Sequence, residues 1–598
     1  MEHPIDAYAL IADCHGAALV ARDGSIDWCC LPRFDTGALF GRLLDPDAGA
    51  CTVEVIGGEV GERRYLDGTL VLETTLRGDA GEARLLDAMP FDDPLAPERE
   101  HRAILRIVDG VRGSVTLRFR ITPRFDYGEV TPWLRHHGRG VFSAIGGDDG
   151  LLCACDADLE PDGDGGLVAE ATVRGHERVR LLLAFRRPEE LDDEQPGPPD
   201  PAALDAALAD AVARWREWSE RARIDDEGVR RSAIVLKALT YAPSGAMVAA
   251  PTTSLPETLD DGGEHRTWDY RYAWIRDAVL ATHCLTELGY DEEANAFRRF
   301  VERSAAGSAA DLRVFYGVGG ERRLTELELG HLRGYRGAGP VRVGNAAGPQ
   351  LQLDGYGHLL QQSWTWTQLG HPPDDDYWRF LLELVNAAAA RWREPDRGLW
   401  EWRGEPRHFV HSKVMCWVAL DRGLALAERS LRRAPTRRWR EARDEIREAV
   451  LTEGFDQRRG TFVQAFGERA LDAAVLRFPR YGFIDYDDER MIGTVAAVRD
   501  ALEEDGLLRR HDADDGMPRE GAFIPCTFWL AQVLARQGQL EEAREVYDRA
   551  LRTATDLGLF AEEADPRAGL ALGNFPQAFT HLAHIEAALT LEAAWSST

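Results

Sequence analysis

PEELDDEQPGPPDPAALDAALADAVARWREWSERAR, residues 188–223, divides the chain. Its first part is crowded with proline and acid and reads as a break. Its second part, from Ala202, places apolar residues at helical spacing and reads as an amphipathic helix. The textures on either side differ. Upstream, short apolar or alternating runs recur at 18–21, 70–76, 103–108, 115–121 and 178–185, with turns such as RDGS, LDGT, GDAGEA and GDDG around them. That is the pattern of an antiparallel β-sandwich. Downstream, helical patterns cover 227–242, 276–289, 291–306, 353–370, 375–392, 411–430, 437–452, 488–504, 522–537, 540–556 and 576–595. They come roughly in pairs, and no fixed-period repeat marks a solenoid. The expected fold is therefore α+β in two domains. A β-sandwich covers 1–200, a linker helix 201–224, and a closed (α/α)6 barrel 225–598, with its loops gathered at one end.

The 598 residues exceed what one core usually holds. A net charge of −30 speaks against nucleic acid and anionic membranes, which need a basic footprint. No run of 18 apolar residues predicts a membrane span. The opening MEHPIDAYALIADCHGAALV lacks a basic start and carries acids within its apolar stretch, so a cytoplasmic location is expected. Nine cysteines at scattered spacing, including adjacent Cys29 and Cys30, form no disulfide framework. Cys14 and His15 with Cys29 and Cys30 make a poor zinc set, and neither metal nor cofactor is expected. A homo-oligomer stays open.

Three segments carry the chemistry. RTWDYRYAWIRDA (266–278) interleaves Trp268, Tyr270, Tyr272 and Trp274 with arginines and aspartates. Such charges make poor core, but aromatic faces cover the C–H patches of a sugar and Arg/Asp pairs bind its hydroxyls. GLWEWRGEPRHFVHSKVMCWVALDRG (398–423) and LFAEEADPRAGLALGNFPQAFTH (559–581) have similar texture. Together they suggest one pocket built from distant loops. Inverting glycoside hydrolysis needs a protonated acid for the leaving oxygen and a base that activates water on the opposite face. Glu401, between Trp400 and Trp402, suits the acid, whose pKa must be raised. Glu562 or Glu563, ahead of the last helix, suits the base.

These segments resemble glycoside hydrolase family 15, in its bacterial glucoamylase and trehalase-like branch. The resemblance runs nearly the whole chain. It includes LIADCHGAALVARDGSIDWCCLPRFD (10–35), TTSLPE (252–257), GYRGAGPVRVGNAAGPQLQLDGYG (334–357), EGAFIPCTFWL (520–530) and LGNFPQAF (572–579). It implies a β-sandwich before an (α/α)6 barrel, and exo-acting, inverting hydrolysis of α-glucosides that releases β-glucose. It implies Glu401 as general acid and Glu562 as general base, with Glu563 one register away. It also implies that Trp274, Arg276 and Asp277 grip the terminal glucose, which closes the pocket end and explains exo action. Trp400 and Arg403 are further expected contacts, with His411 and Lys413 behind them. Arg33 and Asp35 either reach the site from the N-terminal half or form an interdomain salt bridge. Gly355 stands where the family more often has a bulkier residue.

Within that family the leaving-group site separates substrates. An internal substrate, and no starch-binding module after the last helix, favour a small sugar. Trehalose comes first by analogy, and maltose, isomaltose or short maltodextrins, as for a glucoamylase, come second. A non-catalytic carbohydrate-binding protein on the same scaffold would lack one of the two carboxylates. A phosphorylase would put an anion pocket in place of Glu562.

Overall fold

The computed structural model describes residues 3–95, 102–138, 140–193, 196–258, 265–306 and 312–596. The N-terminal part is a large antiparallel sheet of fifteen strands. Its spine is the 20-residue strand Ala103–Thr122. The first half of that strand pairs with Gly81–Ala88 and Arg178–Arg186; its second half pairs with Ala50–Val55 and Leu167–Arg174. The sequence predicts two strands here, 103–108 and 115–121. The glycines between them allow one. A side chain on Gly110 would place its Cβ 1.9 Å from the Arg174 carbonyl oxygen, so glycine lets the pairing continue.

Both faces of the strand's first half are covered. Ile104 and Val108 enter the main core, while Leu105 and Ile107 face Leu204 and Leu208 of the helix that follows the Pro-rich break. That helix, expected as a linker, packs on the sheet. Asp200 caps it by accepting the Ala202 N–H at 3.0 Å, and Pro201 opens it where no donor is needed.

The helices are α1 (Pro188–Asp193), α2 (Pro201–Ser219), α3 (Glu227–Ala238), α4 (Ile275–Glu287), α5 (Asp291–Ser304), α6 (Asp354–Gln368), α7 (Asp375–Arg391), α8 (Val410–Arg429), α9 (Thr436–Glu453), α10 (Glu489–Leu502), α11 (Ile524–Arg536), α12 (Leu540–Leu551) and α13 (Ala578–Trp595). Each of the eleven helices expected after residue 225 is present within a few residues of its predicted ends. α4 packs on α6, and α6 on α8. The 3-10 turn Ala473–Arg477 bridges α8 to α11, α11 packs on α13, and α13 returns to α4. α3, α5, α9 and α12 lean on members of this cycle. None of the described helices is long and apolar enough to cross a membrane.

One hydrophobic cluster runs through both parts. Polar contacts lock the joint. Trp28 donates its indole N–H to the Pro251 carbonyl at 2.8 Å, and Arg63 pairs with Asp556 at 2.8 Å. The segments singled out by the sequence sit just ahead of α4, α8 and α13, so they meet at one end of the helical part.

Candidate active site

The charges of 266–277 divide into three jobs. Asp269 and Arg271 form a buried ion pair at 2.7 Å. Arg271 lies near the rings of Trp28 and Tyr127, at 5.9 and 5.2 Å, and donates to the Thr36 carbonyl at 2.8 Å. This pair fastens the segment to the sheet, and removing one partner of such a pair costs about 3–5 kcal/mol. Arg266 turns toward Asp515 and the Pro518 carbonyl. Arg276 pairs with Asp277 at 2.5 Å and backs Glu401.

Glu401 rides on a loop closed at its base by paired backbone bonds between Asp396 and Arg407, at 2.8 and 2.9 Å. The Asp396 carboxylate pins that base to α8 by accepting the Ser412 hydroxyl at 2.7 Å. Glu401 itself has φ +50°, a left-handed conformation that costs of order 1–3 kcal/mol for a non-glycine residue and marks functional turns. Its Oε1 accepts the Trp274 indole N–H at 3.2 Å and Arg276 Nη1 at 3.1 Å. Burial pushes the carboxyl pKa up, and the Arg276 charge opposes the rise.

Glu562 precedes the short strand Glu563–Ala564, which pairs with Ala522–Phe523 and Ala571–Leu572. Its Oε1 accepts the Tyr270 hydroxyl at 2.8 Å. Its Oε2 is buried without a hydrogen-bond partner among the described residues. Gly573 makes room for it: a Cβ there would lie 2.6 Å from Oε2. Burial raises the Glu562 pKa well above the ordinary carboxylate range, and Glu257 adds to the rise while Arg510 opposes it.

Glu563 points elsewhere. It accepts the Gly521 N–H at 2.9 Å and pairs with Arg510 at 3.2 Å. Arg510 also contacts Glu257 at 2.8 Å and Glu520. The carboxylates Glu257, Glu520 and Glu563 stand as close as a metal-binding triad would, within 4.8 Å of one another. Arg510 already supplies the cation between them. Burial acts to raise Glu520, but Arg510 overrides it and pulls that carboxyl down to about 2.

A cavity lies among these groups. Glu257, Arg266, Trp268, Tyr270, Trp274, Asn345, Trp400, Glu401, Trp402, Arg403, Arg510, His511, Asp515 and Met517 line it. Trp400 is held by its indole N–H on Asp472 at 3.0 Å. Trp268 lies near two guanidinium groups, of Arg403 and Arg342, at 4.2 and 5.0 Å from its ring centre.

Of the residues expected from sequence, Trp274, Trp400, Glu401 and Arg403 line the cavity. Glu562, Arg276 and Asp277 do not line it: Glu562 accepts from the lining residue Tyr270, while Arg276 and Asp277 stand behind Glu401. The further expectations fall outside it. Lys413 donates to the Glu394 carbonyl at 2.6 Å, and burial drives His411 down to about 3 beside Phe478. Arg33 bonds Asp35 and Glu321 at 2.8 and 2.9 Å, which is the interdomain salt bridge. Gly355 does not line the cavity, and a Cβ there would meet Leu312. Sequence reasoning gave no role to Glu257, Arg266, Asn345, Arg510, His511, Asp515 or Met517. Glu257 ends the TTSLPE motif and Glu520 opens EGAFIPCTFWL, so the signal for the carboxylate cluster was present as two acids in otherwise uncharged motifs.

The chain is similar to known proteins along its full length. It is 40% identical to a trehalase of Mycobacterium tuberculosis, over 98% of this chain and 89% of that one. It is 34% identical to a trehalase of Thermoplasma acidophilum, over 96% and 98%. Its fold matches a bacterial glucoamylase solved with acarbose, at TM-score 0.72 and 12% identity, over 99% of this chain and 94% of that one. Residues 1–198 match the trehalase-like N-terminal family, and residues 223–589 match the glycosyl hydrolases family 15 profile. The chain belongs to glycosyl hydrolases family 15.

Proposed function

We propose that this enzyme hydrolyses trehalose to two glucose molecules by inversion. The carrying observation is that adjacent aromatic residues, Tyr270 and Trp274, donate to two separate carboxylates, Glu562 and Glu401. That relatives at 40% and 34% identity are trehalases supports trehalose as the substrate. In this reading Glu401 gives its proton to the glycosidic oxygen as the bond to C1 breaks. Glu562 takes a proton from the water whose oxygen bonds to C1 from the opposite face. Burial supports the acid role, since it raises the Glu401 pKa and so favours the protonated form against the opposing charge of Arg276. Arg510 and the Tyr270 hydroxyl are the groups that favour ionised Glu562 against its burial. Trp274, Trp400 and Arg403 contact the sugar. Arg276 and Asp277 support Glu401 from behind.

The closed packing cycle supports an (α/α)6 barrel over 225–598. The turn Ala473–Arg477 stands where a sixth inner helix belongs. The shared core between the limbs of the sheet supports a sandwich over 1–200, with 201–224 as the connecting helix. All nine cysteines are buried and free, which suits a reducing cytoplasm and a small internal substrate. Glucose release from trehalose, maltose, isomaltose, maltotriose and soluble starch tests the substrate. Trehalose should give the highest kcat/KM. A preference for maltose or longer chains would make the enzyme a glucoamylase, and no release from any would make it a binding protein. Product appearing as glucose 1-phosphate only with added phosphate would make it a phosphorylase.

A further inference from the structure

Glu257 sits in the cavity wall with no role in the reaction described above. Its backbone is held on both sides, with the N–H donating to the Arg266 carbonyl at 3.0 Å and the carbonyl accepting the Gly521 N–H at 3.2 Å. The side chain is 1% exposed, yet it borders the cavity. Oε2 accepts from Arg510 at 2.8 Å. Oε1 is buried and has no hydrogen-bond partner among the described residues. A buried acceptor left unfilled costs roughly 1–3 kcal/mol, more when charged, so a donor is expected there.

The surroundings select the donor. Arg510 already supplies the cation, and Arg266 lies beside it, paired with Asp515 and Glu520. Glu520, Glu562 and Glu563 would repel an anion. A neutral hydroxyl is the remaining match, and the cavity's aromatic walls suit the ring that would carry it. We propose that Glu257 is a substrate-binding residue whose Oε1 accepts a hydroxyl hydrogen of the bound glucoside. Arg510 fixes its position and, with Arg266, favours its charged form against the burial that raises its pKa. This contact lies beside the base, since the Glu257 charge is the largest influence after burial on the Glu562 carboxyl.

The proposal rests on the glucoside-hydrolase reading. Wild-type enzyme that releases no glucose would defeat that reading, whereas the variants test Glu257 alone. E257Q and E257D are compared with wild type, with melting temperatures reporting the fold. In E257Q a hydrogen bond to a charged acceptor is lost, so KM should rise about tenfold or more. The acid limb of the kcat profile should also move to lower pH, because a negative charge next to Glu562 has gone. E257D keeps the charge and withdraws the oxygen by one methylene. Its KM should rise while the acid limb stays in place. A folded E257Q with wild-type KM, or one less stable but with an unmoved acid limb, overturns the proposal. If E257Q does not fold, an unchanged KM in E257D overturns it.

Discussion

The rings of Tyr270 and Trp274 meet at a centroid separation of 5.4 Å and an angle of 66°, and each donates to a different buried carboxylate. One short stretch of chain thus contacts both carboxylates of the proposed acid–base pair.

Replacing either carboxylate should remove the reaction while keeping the fold. E401Q and E562Q preserve shape and remove the titrating group, so kcat should fall by about 10²–10⁴-fold or more in each. Initial rates of glucose release measure this. Near-normal turnover in either variant would strip that residue of its role.

The stereochemistry of the first product reports the geometry. Water entering opposite the leaving group turns an α-glucoside into β-glucose, and the two carboxyls should then stand roughly 6.5–9.5 Å apart. Anomeric proton NMR on fresh hydrolysate sees this before mutarotation. α-Glucose as the initial product would indicate a covalent intermediate and a separation of about 5 Å.

The pH profile should sit above that of exposed carboxyls. Glu562 must be ionised to act as base, and its pKa is raised by burial, so the acid limb should lie above about 4.3. Glu401 must be protonated, and its pKa is also raised, so activity should persist above that value and fall when Glu401 ionises. An acid limb at or below about 4.3 would contradict the burial of the base.

Asp396 couples the acid's loop to pH. Burial pushes its carboxyl up to about 7 against the opposing charge of Lys413. Its folded pKa therefore exceeds the unfolded value of about 3.9, so its contribution is full below that value and is lost as pH rises through about 7. D396N should flatten the fall in Tm between about pH 4 and 8. A variant whose Tm follows pH as steeply as wild type would remove Asp396 from this account.

Gly573 should be intolerant of the smallest addition. Its φ is +74°, and a Cβ would press on Glu562 at 2.6 Å. G573A should reduce kcat more than it raises KM, since it displaces the base. Equal kcat in a folded variant would show that Glu562 has room to move.

The helices after residue 225 were legible because apolar spacing of 3.6 residues survives in a single sequence. The place of Glu401 in the cavity wall was legible because tryptophans flank it, while the proposal of Glu562 over Glu563 rested on a family resemblance. Four things were hidden. The spine strand read as two, since glycines signal turns unless a partner strand is known. Nothing local in Arg276 says that it faces the back of Glu401 instead of the cavity. The Glu257–Arg510–Glu520–Glu563 cluster draws on parts of the chain some 300 residues apart, so no window contains it. Asp269 and Arg271 looked like sugar ligands because buried ion pairs and binding sites use the same residue types.

Arg271 has a wider meaning for how this enzyme can be altered. It lies one residue from Tyr270 and three from Trp274, yet beyond its pair with Asp269 it reaches Trp28, Thr36 and Tyr127 of the N-terminal half. The N-terminal half is therefore part of the machinery's foundation, and deleting it would leave an arginine without its roof beneath the reacting groups. Transplanting this pocket into another scaffold would mean taking Trp28, Thr36 and Tyr127 along with it.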